Sequence, residues 1–171
     1  TCTEVVLESP VPISFSADTT EACGTGTFLF TNETDPASIS STLWAFGDGT
    51  YAGESNTVKT FENPGFYDVG VTVTSQAGGC EYTLVQEAYI NVYPIPDVGY
   101  FAGPQPTRAP DTEITFDGYS NANVVEWLWT FNVFDPLGTS TEQDPVFQFP
   151  NGSGGTYPVQ LQITDAQGCV N

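Results

Sequence analysis

Apolar and polar residues alternate along this chain with a period of two, over short runs separated by turn residues. Tyr67, Val69, Val71 and Val73 alternate with polar or small residues, and Tyr157, Val159, Leu161 and Ile163 do the same. Trp44 with Phe46, and Trp129 with Phe131, carry that rhythm on another segment. Period two predicts strands with one buried and one wet face. No long segment has helical periodicity, and Gly (17) and Pro (13) punctuate the runs. The predicted class is all-β, with large aromatics packed between two facing sheets.

The pattern occurs twice. The first copy runs from Leu43-Trp44-Ala45-Phe46-Gly47-Asp48-Gly49 through Phe61, Pro64-Gly65-Phe66-Tyr67 and the Val69–Thr74 run to Gly79-Cys80. The second runs from Leu128-Trp129-Thr130-Phe131 through Phe149, Gly155-Thr156-Tyr157 and the Val159–Thr164 run to Gly168-Cys169. Pro10-Val11-Pro12 and Pro94-Ile95-Pro96 stand before the copies as short, semi-rigid connectors. The 171 residues therefore divide into 10–93 and 94–171, with 1–9 as the end of a preceding repeat or a leader strand. The second copy is expected to lack its last strand, and the chain reads as a window on a longer array. A buried Trp on a central strand and a Tyr opening a late strand fit an immunoglobulin-like sandwich, without the usual inter-sheet Cys pair.

Charge narrows the partners. Twenty-one acidic residues face only Lys59 and Arg108, a net charge of −19. Such a surface repels nucleic acids and anionic membranes, so neither is an expected partner. No run approaches the roughly 18 apolar residues of a membrane helix, so no insertion is expected. The chain has no His, no serine elbow and no glycine-rich nucleotide loop, so no catalytic residue is assigned and no enzyme is expected. Gly47-Asp48-Gly49 reads as a turn, with Asp48 bonding its own backbone. Glu33, Asp35, Asp97, Asp111 and Asp117 near loops are weak calcium candidates without a continuous ligand motif, and no other cofactor is expected.

Trp44-Ala45-Phe46-Gly47-Asp48-Gly49, followed by Pro64-Gly65-Phe66-Tyr67-Asp68-Val69, resembles the polycystic-kidney-disease (PKD) repeat, with Ala45 where that family usually has Asp. The second copy keeps Trp129, Phe131, Tyr157 and the following strand but not Gly-Asp-Gly. The resemblance implies tandem Ig-like sandwiches acting as non-catalytic spacers or interaction modules. The Gly-Cys endings and Pro connectors resemble repeats of large secreted proteins of Bacteroidota-type bacteria, cell-surface adhesins or gliding-associated proteins exported by the type IX route. Expected partners are neighbouring repeats and an extracellular protein or polysaccharide.

Four Cys suggest an oxidising, extracellular setting and allow three full pairings. Cys23 and Cys80 precede segments that can lie side by side in an Ig-like sandwich, so Cys23–Cys80 is the expected bond. Cys169 has no evident local partner, and Cys2 can pair outside this window. Three roles compete: an adhesive stalk, a carbohydrate-binding accessory module, and a calcium-stiffened linker. Sugar contact would fall to Tyr51, Tyr93, Tyr100, Tyr119 or Trp127, with Trp127 foremost because it shares the inward face of Trp129.

Overall fold

A computed structural model describes residues 10–106, 112–150 and 155–171. The chain divides into two compact units, Thr1–Pro94 and Ile95–Asn171. In the first, β1 (Phe15–Ala17), β3 (Gly26–Asn32) and β6 (Asn56–Phe61) form one sheet in the order β1-β3-β6. The facing sheet has the order β2-β8-β7-β4-β5, from β2 (Glu21–Cys23), β4 (Ile39–Ala45), β5 (Tyr51–Ala52), β7 (Gly65–Ser75) and β8 (Glu81–Tyr93). A single 3₁₀ turn, Pro36–Ser38, precedes β4. Its N-cap, Asp35, accepts from the Ala37 amide at 3.0 Å, so this calcium candidate is a capping residue.

The second unit repeats the plan with fewer strands. Its sheets are β13-β10-β9 and β12-β11-β14, from β9 (Val98–Gly103), β10 (Glu113–Ser120), β11 (Val124–Phe131), β12 (Gly138–Ser140), β13 (Val146–Gln148) and β14 (Val159–Asp165). Matching registers align the units residue by residue. Phe15 lies opposite Asn32 and Tyr100 opposite Gly118, while Trp44 lies opposite Val71 and Trp129 opposite Leu161.

Each unit has its own aromatic core. Phe28, Phe30, Trp44, Phe46, Phe61, Val69, Val71 and Val73 are buried in the first. Ile114, Phe116, Trp129, Phe131 and Phe149 are buried in the second. Trp44 and Phe46 stack with planes 5° apart and centroids 6.4 Å apart, and Trp129 and Phe131 do so at 5° and 6.3 Å. Residues two apart on a strand share a face, which brings each pair together. Both indoles are fully buried, and both N–H groups donate to a backbone carbonyl: Trp44 Nε1 to Glu54 at 3.0 Å, Trp129 Nε1 to Glu142 at 2.8 Å. A buried indole needs such a partner, since an unmet donor costs about 1–3 kcal/mol.

The last strand of the first unit, β8, pairs with β7 along most of its length. A bulge interrupts the ladder between Tyr67 and Val69, where Ala88 takes φ 47° and its amide donates to Asp68 Oδ1 at 2.7 Å. In the second unit, residues 169–171 begin the same hairpin: the Asp165 amide donates to the Cys169 carbonyl, and Ile163 and Asn171 exchange two backbone bonds. Beyond Ile163 the outer edge of β14 has no strand neighbour among the described residues. Ile163 is buried, whereas Leu161 and Val159 are only partly covered. Their counterparts Val71 and Val69 lie under β8 and are fully buried.

The expected Cys23–Cys80 bond does not form. Cys23 pairs with Tyr93 at the far end of β8, and Cys80 immediately precedes Glu81 at its start. Twelve residues of extended strand put them on the order of 35 Å apart. A disulfide spans a Cα separation of only about 6 Å. The physical reason is that β2 joins β8 in parallel, placing Cys23 at the opposite end of the sandwich from the β7–β8 turn. Cys23, Cys80 and Cys169 are nonetheless all disulfide-bonded. Cys2 and the whole 1–9 segment lie outside the described residues.

Candidate functional site

Most of the motif residues singled out from sequence turn out to build the fold. Gly47 follows Phe46 with φ 72°, and a Cβ there would meet the Asp68 carbonyl oxygen at 2.7 Å. Glycine is therefore required on both counts. Gly49 is left-handed as well, at φ 86°. Between them, the Asp48 carboxylate accepts from the Thr50 amide at 3.0 Å and the Thr50 hydroxyl at 2.6 Å, and pairs with Lys59 Nζ at 2.6 Å. Partial burial on its own would push the Asp48 carboxyl up. The bonds from Lys59 and Thr50 outweigh it and hold the group below its ordinary value. The Lys59 ammonium also lies 5.8 Å from the Phe46 centroid and 5.3 Å from that of Phe61. This turn thus pins one of the chain's two cations across the end of the aromatic core.

Tyr67 stacks on Phe61 at 4.1 Å and donates its hydroxyl to the Asn63 carbonyl at 2.8 Å, closing the Pro64-Gly65 turn. Tyr157 stacks on Phe149 at 4.9 Å in the matching place. In the second unit Asn132 follows Phe131 at φ 61°, so asparagine takes the left-handed position held by Gly47.

The aromatic candidates for ligand contact separate clearly. Tyr100 is a core residue, 5.1 Å from Trp129, with its hydroxyl on the Val159 carbonyl. Tyr93 packs edge-on against Phe66 and donates to Glu21 Oε1 at 3.1 Å, a bond to a carboxylate that raises the phenol's pKa. Tyr51 is exposed on the short edge strand β5.

Trp127 does share the face of Trp129, but its ring is committed to packing. A Cβ on Gly118 would meet Trp127 Cζ3 at 2.8 Å, so the indole lies on the Gly118 backbone. The first unit has Asn32 and Thr42 in these places, joined by an Asn32 Nδ2 to Thr42 Oγ1 bond of 3.1 Å. One unit fills this end of the core with a hydrogen-bonded polar pair, the other with glycine and a large ring. Trp127 also borders an open depression of about 540 Å³ over β11 and β14, with Glu126, Leu128, Thr141, Gln162 and Thr164.

A surface feature that sequence reading only half identified lies on the outer face of β9 and β10. Phe101 is 68% exposed and Tyr119 51% exposed, and their rings sit 5.4 Å apart with planes inclined by 32°. Tyr119 lies directly opposite Gly99 and rests on it, since a Cβ there would be 2.5 Å from the ring. Asp117 lies opposite Phe101, and Glu113, Thr115, Asp117 and Tyr119 form one exposed row along β10. Only the register of Tyr100 opposite Gly118 shows that Phe101 faces outward.

No group of three His, Cys, Asp or Glu residues able to hold a metal occurs among the described residues. Asp97 accepts from Asn121 Nδ2 at 2.9 Å, Glu33 accepts from Ser16 at 2.7 Å, and Asp117 stands on the open face beside Phe101. Asp111 lies outside the described residues.

Comparison with known proteins gives one family match and one similar solved structure. Residues 8–92 match the family model of the PKD domain, so the first unit carries a PKD domain. A solved structure from a study of the promiscuous specificity of carbohydrate-binding modules of the β-sandwich superfamily aligns with 89% of this chain and 83% of its own, at 12% identity and a TM-score of 0.42. No curated protein matches.

Proposed function

We propose that this chain is a segment of a large extracellular protein, serving there as a non-catalytic spacer and adhesion module of a bacterial cell surface. The observation that carries this reading is the duplicated, self-contained aromatic core: two units of one plan, joined at Pro94-Ile95-Pro96, each burying a tryptophan and its neighbouring phenylalanines in its own interior. The PKD domain of the first unit belongs to a family of non-catalytic modules. Disulfide-bonded Cys23, Cys80 and Cys169 fit an oxidising compartment. No helix of the described residues is long and apolar enough to cross a membrane. Export by the type IX route and a part in gliding belong to the same proposal, resting on the resemblance of the repeats alone.

The test is mechanical. Beads coated with the chain are flowed over surfaces bearing bacterial exopolysaccharide or extracellular protein, and the shear needed to detach them is compared with that for blank beads. Higher detachment shear, with no hydrolysis of the same polymers by the chain, is expected. Beads that leave as easily as blank ones, or measurable turnover, would overturn the reading.

A second reading, a carbohydrate-binding module, is favoured by the exposed Phe101–Tyr119 pair. It is compatible with the first if adhesion is to a polysaccharide.

A further inference from the structure

The two units share one backbone plan, so each position in one is a control for its counterpart in the other. Phe15 and Tyr100 are counterparts, both packed edge-on against the core tryptophan at 5.4 and 5.1 Å. Phe101 therefore matches Ser16, and Tyr119 matches Glu33, which bonds its amide to the Ser14 carbonyl across the same strand pair. In the first unit Ser16 donates to the Glu33 carboxylate at 2.7 Å. The second has two rings in contact, both open to solvent. The fold does not require aromatics here, because its other copy is built without them.

Tyr119 has a partial structural reason, since an aromatic laid across a strand glycine compensates for the missing side chain. Phe101 has less: its ring contact is with Tyr119, and it is two-thirds exposed on a wet face. Resting on Gly99 also fixes the Tyr119 ring, which stays half exposed.

From this we infer that Phe101 and Tyr119 form a stacking platform for the pyranose rings of a neutral polysaccharide, which deepens the adhesion reading above and rests on it. Three observations select this occupant. An aromatic face carries negative quadrupole density that attracts the polarised C–H groups of a sugar ring. The flanking groups, Thr115, Asp117 and Glu113, can exchange hydrogen bonds with sugar hydroxyls. No described residue of the second unit is Lys or Arg and the chain's net charge is −19, so a polyanion would meet net repulsion, whereas a neutral sugar would not. The exposed pair matches the size of one or two sugar rings, whereas a protein interface of about 800 Å² per partner would have to extend well beyond it.

The test uses the whole chain in affinity electrophoresis through gels containing a soluble neutral polysaccharide, in turn a β-glucan, a xylan and a mannan, each against a polysaccharide-free gel. Wild type is expected to be retarded by at least one. The double variant Phe101→Ser with Tyr119→Glu, which installs the first unit's pair, is expected to bind about tenfold more weakly, and Phe101→Ser alone to bind more weakly with its melting temperature preserved. Phe101→Trp is expected to keep or strengthen retardation. If the double variant does not fold, Phe101→Ser alone carries the test, because it leaves Tyr119 on Gly99. Wild type unretarded in all three gels, or retarded equally with Phe101→Ser, overturns the inference. Beads that still adhere while wild type goes unretarded would sink the platform and leave the adhesion reading intact. Beads that lose their grip on a protein-coated surface on Phe101→Ser would assign the platform to a protein and overturn the sugar reading.

Discussion

Asp48 shows how much a single position in a turn can hold. Its carboxylate ties the Thr50 backbone, the Thr50 hydroxyl and the Lys59 ammonium, and through Lys59 it covers Phe46 and Phe61. Asp48→Asn should lower stability by about 1 kcal/mol at neutral pH, read by denaturant titration. Because the folded-state pKa is depressed, this contribution is complete above the ordinary carboxylate value of 3.8 and disappears as pH falls through the lower folded value. The gap between wild type and variant should therefore be constant from pH 7 to about 5 and close towards pH 3. A gap that widens with acid would show that the ion pair is not its source. Gly47→Ala faces both a left-handed φ and a backbone clash, and should cost about 2 kcal/mol or more. The sequence already marked Gly47-Asp48-Gly49 as a turn. It could not show the link to Lys59, which sits on another strand eleven residues on.

At the scale of strands, alternation carried most of the information. The Val69–Val73 and Trp44–Phe46 rhythms foretold which faces are buried, and they are. Two features escaped because they depend on pairing rather than periodicity. The parallel docking of β2 on β8 separated Cys23 from Cys80, and the register of β9 on β10 turned Phe101 outward. Trp127 shows a third kind of limit: its face was readable, but its purpose depends on Gly118 in another strand. Gly118→Asn would push a side chain into both the Trp127 ring and the Gln143 carbonyl oxygen, each 2.8 Å from a Cβ there, and is expected to destabilise the second unit by about 1–3 kcal/mol. Combined with Trp127→Thr it recreates the first unit's pair, and should recover part of that loss. Thermal unfolding of the single and double variants checks this, and simple additivity would disprove the coupling.

For the whole chain, the net charge of −19 sets a baseline of self-repulsion. Raising NaCl from about 10 to 150 mM shortens the screening length from about 30 to 8 Å. The melting temperature should rise by a few degrees, and a fall would contradict a repulsive surface. The two units differ in one respect that this acidity does not touch. In the first, the Val71 amide is held between β7 and β8; in the second, the alternation that turns the Ile163 amide towards Asn171 turns the Leu161 amide towards an edge no described strand occupies. In the 171-residue chain measured by itself, deuterium should consequently replace the Leu161 amide proton orders of magnitude sooner than that of Val71, although both residues lie opposite the tryptophan of their own core. One chain would then carry a fast and a slow clock at the same point of a shared plan.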